Sequence, residues 1–358
     1  MNKRYNVGLI GYGIAGQVFH APLINCVDGL NLLKIRETKA PNIQLARSRY
    51  PHAEIVDNSE SIISDDAIDL VVIATPNTSH YDLAKQALES GKNVVVDKPF
   101  TITYADAKDL IQLAKTKGKL LSVYHNRRFD SVAKTVRKVI ASGMLGTLVE
   151  YEAHYDRFRN YHRAGAWREE DIPGSGIFYD LGAHLIDEAQ MLFGIPNEIY
   201  SDLRIQRPGG KTIDNFEVVL GYDRLKVTLK AGMLVKEPGP VVSLFGLNGS
   251  YIKYGMDVQE EALRAGIVPE TVAAWGVEPE SLWGKINTEY EGVPIVGKIK
   301  SDPGDYREYY QNIQKVLSGE EELIVTPEQA AITIRIIELA MQSSAEKRTV
   351  RWQDDSSF

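Results

Sequence analysis

The sequence has little of what several protein classes depend on. It contains a single cysteine, Cys26, so no internal disulfide can form. No apolar run approaches the ~18–20 residues that a membrane span requires, and the N-terminus reads as an early strand rather than a signal peptide. We therefore expect a cytoplasmic protein in a reducing setting that does not bind a membrane.

Basic charge and metal-binding motifs are also scarce. The chain has 41 Lys and Arg against 48 Asp and Glu, a net charge of −7, and no basic cluster that could follow a phosphate backbone. Its seven histidines are dispersed. The motifs H-E-x-x-H, G-x-S-x-G, Walker A and paired C-x-x-C are missing. Neither nucleic acid nor a metal cluster is expected.

With 358 residues and an ordinary globular composition, the chain predicts two domains, residues 1–127 and 128–358. The first alternates short β-rich runs with helical stretches at 81–90 and 105–117. This alternation predicts an α/β Rossmann domain with a doubly wound parallel sheet. The expected strands are 7–10, 32–35, 55–56, 70–74, 94–96 and 120–124.

From about residue 147 the pattern changes to long strand-like runs with little helix between them. It predicts an α+β second domain with a large, mostly antiparallel, open sheet. A connecting helix is expected at 131–141, and a closing helix at 328–345 behind Thr326 and Pro327, which suit the cap and the first turn. The expected strands are 147–159, 198–206, 216–222, 226–235 and 241–247.

The first expected strand runs directly into the segment GYGIAG at 11–16, in which Gly11, Gly13 and Gly16 have the G-x-G-x-x-G spacing around Ile14 and Ala15. In this context the glycines permit a tight turn, close approach of a pyrophosphate and close helix packing. A plain tight turn is the alternative. Pro22 should break or restart the following helix, so that helix is expected to be short.

The end of the second strand decides which dinucleotide fits. Arg36 and Lys39 could pair with a 2′-phosphate, as in NADP, whereas Glu37 could accept hydrogen bonds from the free ribose diol of NAD. A solvated strand end is the alternative. These residues alone leave NAD and NADP open.

Two further segments carry candidate chemistry. Asp97, Lys98 and Pro99 follow the fifth strand, at the sheet edge where such folds bind ligands, although a lysine there can be plain surface charge. In the helical segment 179–194, ~100° per residue places Asp180, His184, Asp187 and Met191 on one arc opposite an apolar face. A carboxylate beside a histidine suits proton acceptance from an alcohol. The alternative is an amphipathic helix with a solvated polar face.

The segments GYGIAG, ATPN (74–77), DKP (97–99), YHNRRFD (124–130) and YDLGAHLID (179–187) together resemble the Gfo/Idh/MocA oxidoreductases over nearly the whole chain. The segments HNRR, AWRE (166–169) and 250–266 resemble in particular the NADP-dependent scyllo-inositol dehydrogenase branch.

That resemblance implies roles for individual residues. Lys98 would contact the substrate hydroxyl and the nicotinamide ribose, His184 would be the general base, and Asp180 an orienting or substrate-binding carboxylate. The dinucleotide would also be bound near further residues, namely Thr75, Pro76, Asn77, His80, Asp97, Asn126, Trp167 and Arg168. It further implies a cis peptide before Pro99, a homodimer or homotetramer built on the second domain's sheet, and use of NADP with some tolerance of NAD.

We therefore expect an enzyme that transfers a hydride between a nicotinamide and a ring hydroxyl or ketone of a cyclic polyol, such as an inositol, or a sugar. Two alternatives remain open. One is a reductase of another sugar-derived carbonyl, which would share every site residue. The other is a non-catalytic dinucleotide-binding sensor or repressor, against which intact Lys98 and His184 argue.

Overall fold

The structure is a computed structural model that describes residues 4–353. The described chain forms two compact units that are interleaved in sequence. The first comprises residues 4–126 together with 259–275 and 305–331, and the second comprises 127–258, 276–304 and 332–353. The boundary at residue 127 stays a prediction as the limit of two functional domains.

Strands and helices alternate in the first third of the chain, and strands dominate the middle. In chain order the strands are β1 Tyr5–Ile10, β2 Leu30–Arg36, β3 Glu54–Val56, β4 Leu70–Ile73, β5 Asn93–Asp97, β6 Leu121–Tyr124, β7 Leu148–His154, β8 Glu198–Arg204, β9 Asn215–Gly221, β10 Lys226–Gly232, β11 Val242–Gly246, β12 Gly249–Lys253, β13 Gly284–Tyr290, β14 Val293–Ile299 and β15 Val350–Arg351. The α-helices are α1 Ala21–Asn25, α2 Ala40–Arg49, α3 Glu60–Ile63, α4 His80–Glu89, α5 Tyr104–Lys117, α6 Ser131–Ala141, α7 Ala183–Phe193, α8 Gln259–Arg264, α9 Arg307–Leu317 and α10 Pro327–Glu346.

The first unit contains a six-stranded sheet in the order β3-β2-β1-β4-β5-β6, with every pair parallel. All four residues of β4 and the three central valines of β5 are buried, as expected for strands covered on both faces. This order and direction confirm the predicted doubly wound Rossmann sheet. The carboxyl ends of β1, β2, β4 and β5 therefore lie along one edge.

Late segments complete the core of the first unit through hydrogen bonds to the sheet. Ser122, on β6, donates to the carbonyl of Val325 at 2.8 Å, and the Tyr309 hydroxyl on α9 donates to Ser122 Oγ at 2.9 Å. The Tyr5 hydroxyl on β1 donates to the carbonyl of Leu317 at 2.6 Å. Residues 305–331 are thus structural components of the unit that contains the Rossmann sheet.

The second unit contains a nine-stranded sheet in the order β14-β13-β12-β11-β7-β10-β9-β8-β15. Among the strands that the structure describes in this sheet, only the pair β10 and β7 is parallel, which confirms the prediction of a large, mostly antiparallel sheet. Strand β9 alternates buried and half-buried residues along its length, the pattern of a strand with one face toward a core. Helix α7, which carries His184, packs against β10.

Among residues 4–353, no helix is both long and apolar enough to cross a membrane. The same residues contain no group of three or more His, Cys, Asp or Glu side chains placed to hold a metal ion.

Candidate functional site

The glycine-rich turn after β1 has the geometry of a phosphate-binding loop. A Cβ atom on Gly11, whose φ is +105°, would lie 2.5 Å from the carbonyl oxygen of Ala74, and one on Gly16 would lie 2.2 Å from that of Gly11. At Gly13, by contrast, a Cβ would meet nothing within 4 Å. Gly11 and Gly16 allow close packing, whereas Gly13 leaves open space beside exposed backbone, which fits a pyrophosphate.

The helix after this turn is interrupted, as Pro22 predicts. Residues Gly16–His20 form a π-helical turn, and α1 restarts with Pro22 in its first turn. Such π-turns are rare and occur frequently at functional sites. This one ends at His20, whose side chain is fully buried.

The loop after β2 places Glu37 differently from the expectation of a ribose-binding carboxylate. Its Oε1 accepts hydrogen bonds from the backbone N–H groups of Thr38 and Lys39, at 2.7 and 2.9 Å, and its Oε2 accepts from the Asn42 amide at 2.8 Å. Burial opposes ionisation, but these donors hold the pKa of Glu37 below its ordinary value. Both oxygens therefore serve the loop itself, and a ribose contact by Glu37 stays a prediction.

The cationic residues of the same loop are more accessible. Thr38 and Lys39 are exposed, and Arg36 is half-buried with its Nε donating to the carbonyl of Asp57 at 3.2 Å. The carbonyl of Arg36 accepts a hydrogen bond from the N–H of Gly11, which joins this loop to the glycine turn.

The ATPN and DKP turns are joined by His80. The imidazole is fully buried, with Nδ1 2.9 Å from the carbonyl oxygen of Pro99 and Nε2 3.0 Å from that of Thr75. Burial lowers the pKa of His80, against the opposing effect of Asp97 and the carbonyl contacts. These contacts hold the two turns together; a direct contact of His80 with a dinucleotide stays a prediction. Asn77 is buried nearby in sequence, while Pro76 is exposed.

The DKP turn itself contains a cis peptide between Lys98 and Pro99. Oδ1 of Asp97 accepts the backbone N–H of Lys98 at 2.9 Å and lies 3.6 Å from Nε2 of His20. Burial opposes ionisation of Asp97, yet His20, Lys98 and His80 together hold its pKa below the ordinary value. Lys98 is half-buried and directly follows an ionised carboxylate.

In the second unit, Asp180 and His184 lie on consecutive turns. Asp180 belongs to a π-helical turn, Phe178–Gly182, and His184 to the first turn of α7, where it is 7% exposed. The guanidinium of Arg168 approaches Oδ1 of Asp180 at 3.5 Å and stacks on the Trp167 ring, 4.4 Å from its centre. The structure therefore brings together Trp167, Arg168 and Asp180, three of the predicted site residues.

The other polar residues of this helix are buried, so a solvated polar face does not describe it. Arg128 donates to both carboxylate oxygens of Asp187, at 2.8 and 2.6 Å, and both side chains are almost fully buried. This bidentate pair gives Asp187 a structural partner. Asp180, at 21% exposure of its side chain, is the more accessible of the two carboxylates flanking His184.

The segment carrying Trp167 and Arg168 is anchored by a buried arginine that was not among the predicted site residues. Arg207 donates to Glu169 Oε2 at 2.7 Å, to Asp214 Oδ2 at 2.9 Å and to the carbonyl of Tyr161 at 2.8 Å. No local pattern marks Arg207, because its partners lie up to 46 residues away in sequence.

Comparisons with known proteins agree with this geometry. The family model "Oxidoreductase family, NAD-binding Rossmann fold" matches residues 5–125, and "Oxidoreductase family, C-terminal alpha/beta domain" matches residues 137–351. The chain belongs to the Gfo/Idh/MocA oxidoreductase family. The predictions of a Rossmann domain for a nicotinamide dinucleotide and of an oxidoreductase are thereby confirmed.

Relatives within the Gfo/Idh/MocA family match along nearly their whole length. The scyllo-inositol 2-dehydrogenase (NADP(+)) IolW of Bacillus subtilis is 39% identical, covering 96% of this chain and 95% of that protein. The uncharacterised oxidoreductase YdgJ of Escherichia coli is 41% identical, covering 98% and 99%. The solved structure of the oxidoreductase yvaA from Bacillus subtilis superposes with a TM-score of 0.94 at 38% identity, covering 99% of each chain.

Within this Gfo/Idh/MocA chain, the predicted residues of the first unit meet at one sheet edge. The Gly11 backbone contacts Arg36 and approaches Thr75, and His80 connects Thr75 to Pro99 beside Lys98. Ile14 is exposed, Ala15 is half-buried, and Asn126 is buried in the short turn Asn126–Phe129. Their roles toward the dinucleotide stay predictions.

Proposed function

We propose that this protein oxidises a ring hydroxyl of a cyclic polyol, such as an inositol, or of a sugar to a ketone, or runs the reverse reaction, in the cytoplasm. The observation that carries the proposal is the accessible Asp180, one helical turn before the buried His184 and paired with Arg168, in a chain that also has Lys98 after the ionised Asp97. The similarity to an enzyme named as a scyllo-inositol dehydrogenase supports the substrate class.

In this proposal the protein supplies binding, orientation and proton transfer. Lys98 donates a hydrogen bond to the reacting oxygen, His184 accepts the hydroxyl proton during oxidation, and Asp180 orients His184 or binds a neighbouring hydroxyl. When bound, the nicotinamide dinucleotide supplies the two-electron redox chemistry. The open space at Gly13 and the exposed backbone beside it are where its pyrophosphate would be held.

We propose NADP as the preferred cofactor, with some use of NAD. The support is the loop after β2, where Glu37 is engaged by its own backbone while Lys39 is exposed and Arg36 half-buried. The loop itself takes up three of the roughly four acceptor positions of this carboxylate, which leaves little for a ribose diol, whereas the two cations can attract a phosphate. The NADP(+) in the name of the Bacillus subtilis relative points the same way.

We also propose a homodimer or homotetramer assembled through the second unit's sheet, as the family resemblance implies. The exposed apolar side chains on β14, Val293 at 57% and Val296 at 65%, support this surface. Light scattering coupled to gel filtration would test it, and a monomer at micromolar concentration would contradict it.

The reaction is tested with a panel of inositol isomers, monosaccharides and anhydro-sugars. Each compound is assayed with NADP and with NAD by the change in absorbance as the nicotinamide is reduced or oxidised. We expect turnover of a cyclic polyol, with a higher kcat/KM for NADP. Turnover only of deoxy- or anhydro-sugar ketones with the reduced cofactor would replace the polyol by another sugar-derived carbonyl.

A matched variant separates an enzyme from a sensor. Dinucleotide binding measured by calorimetry, with no turnover of any panel compound by the wild-type protein, would favour a non-catalytic sensor. If turnover occurs, Lys98→Met should abolish most of it while binding persists.

A further inference from the structure

We propose that Tyr310, His20 and Asp97 form a buried relay that positions Lys98, so that His20 and Tyr310 are positioning residues of the active site. The inference rests on the proposed role of Lys98 in the oxidoreductase reaction. All four residues belong to the first unit.

The relay begins at Tyr310, on α9. Its hydroxyl lies 2.6 Å from Nδ1 of His20, and both side chains are fully buried. Burial raises the pKa of the Tyr310 phenol well above its ordinary range, so this group keeps its proton at neutral pH. Tyr310 can therefore donate to Nδ1 and fix the orientation of the imidazole.

The relay continues from His20 to Asp97. Nε2 of His20 lies 3.6 Å from Oδ1 of Asp97, slightly beyond hydrogen-bond distance, and no protein group within the described residues hydrogen-bonds this nitrogen. Because a carboxylate only accepts hydrogen bonds, the stable arrangement has the proton on Nε2. A buried imidazole thus directs its one uncommitted polar atom at the carboxylate of the DKP turn.

The relay ends at the backbone of Lys98. The Asp97 oxygen that faces His20, Oδ1, also accepts the N–H of Lys98 at 2.9 Å. Any rotation of the Asp97 carboxylate therefore moves the acceptor that holds Lys98. The positive charge of Lys98 also helps to hold the pKa of Asp97 below its ordinary value.

The local backbone presents His20 to this carboxylate in an unusual way. His20 is the last residue of the π-helical turn that follows the glycine motif, and it packs against Tyr124, with ring centres 4.4 Å apart. Helix α8, from the later segment 259–275, packs against the same turn. These contacts hold the π-turn that orients His20.

The first test compares two neighbouring tyrosines of α9. Tyr310→Phe removes the hydroxyl group that contacts Nδ1 of His20. Tyr309→Phe removes a buried hydroxyl group that donates to Ser122. With the polyol that the wild-type protein oxidises, we expect Tyr310→Phe to lower kcat about 3- to 10-fold, the worth of one hydrogen bond, with the dinucleotide KM within about 2-fold. Tyr309→Phe should leave kcat within about 2-fold at a similar loss of Tm. Equal kcat values for the two variants would overturn the relay.

The second test replaces His20. The amide of His20→Gln can still donate toward Asp97, whereas His20→Ala cannot, so we expect the glutamine variant to keep most of kcat and the alanine variant to lose at least about 10-fold. An equal loss in both would show that His20 acts through packing on Tyr124 alone.

A third measurement does not depend on turnover. In protein labelled with ¹⁵N-histidine, with His20 assigned from His20→Gln, NMR should show the proton on Nε2 and Nδ1 as an acceptor. The Nδ1 resonance should shift in Tyr310→Phe and not in Tyr309→Phe. A bare Nε2, or no shift in Tyr310→Phe, would overturn the relay even if no substrate is found, whereas failure of the substrate panel with this NMR signature intact would refute only the proposed reaction.

Discussion

The hydroxyl of Tyr155 donates a 2.5 Å hydrogen bond to Oε1 of Glu188, and both side chains are buried in the second unit. Burial, with a smaller contribution from Asp130, raises the pKa of Glu188 to about 8. Glu188 is therefore mostly protonated at neutral pH, although it directly follows Asp187, the carboxylate paired with Arg128. The helix that carries His184 therefore also buries a carboxylic acid in its neutral form.

This protonation predicts how stability depends on pH. Between the ordinary glutamate pKa and about 8, the folded state holds a proton that the unfolded state has lost, so the free energy of unfolding falls as pH rises through that window. Glu188→Gln removes this dependence and keeps an acceptor for Tyr155. The variant should gain stability relative to the wild type as pH rises through the same window, by about 1.4 kcal/mol for each unit of raised pKa. Urea denaturation at several pH values measures this, and a constant difference would contradict it.

Lys98→Met should lower kcat by at least about 10²-fold while dinucleotide binding stays measurable, because methionine keeps the bulk and loses the charged donor at the reacting oxygen. Lys85→Met, which removes a surface lysine paired with Asp109, is the matched control and should be nearly wild-type. Steady-state kinetics and calorimetric binding distinguish the two. Near-normal turnover in Lys98→Met would refute the role of Lys98.

His184→Ala should slow alcohol oxidation more at neutral than at high pH, because hydroxide partly replaces a missing base. The control is His154→Ala. His154 lies on β7 of the same unit and pairs with Asp156, and its replacement should not make the loss of rate depend on pH. The check is the pH dependence of kcat/KM for the three proteins. Parallel curves for His184→Ala and wild type would mean that the base lies elsewhere.

Lys39→Ala should lower the ratio of kcat/KM for NADP over NAD by about tenfold, because a charge-assisted contact to the 2′-phosphate is lost. Glu37→Ser, in contrast, should weaken both cofactors similarly and lower Tm, since Thr38, Lys39 and Asn42 lose their shared acceptor. Kinetics with both cofactors decide between these effects. A marked rise of the ratio in Glu37→Ser would show that its carboxylate does face the ribose.

The strands of the first unit were predictable because parallel strands that are buried on both faces consist of short apolar runs in the sequence. The sequence also located the restart at Pro22 and the Thr326–Pro327 start of α10, where Thr326 Oγ1 accepts the N–H of Gln329 at 3.3 Å. It did not predict α2, whose apolar residues are sparse and of which only Ala46 is buried. It also missed the hairpin of β13 and β14, because only Ile286 is a large apolar residue among the buried positions of β13 and no residue of β14 is buried.

The site was less predictable than the fold because its support is long-range. Spacing pointed to Gly11, Asp180 and His184, and the family resemblance pointed to Lys98; their roles stay predictions. Spacing could not show that Glu37 binds its own loop, or that Tyr310 lies on His20 across 290 residues of chain. The local signal for His20 is that it is the one ionisable residue in the segment 16–25.

The interleaved make-up of the first unit has a consequence for its biosynthesis. The six parallel strands have all been synthesised once residue 124 is added to the chain. The residues that hydrogen-bond β1 and β6, namely Tyr309, Leu317 and Val325, follow only about 200 residues later. At ~5–20 residues per second, the nascent sheet waits on the order of ten seconds or more for its last layer. A fragment ending at residue 126 should accordingly aggregate or stay partly unfolded, and the dinucleotide site should mature only after Val325 has been synthesised.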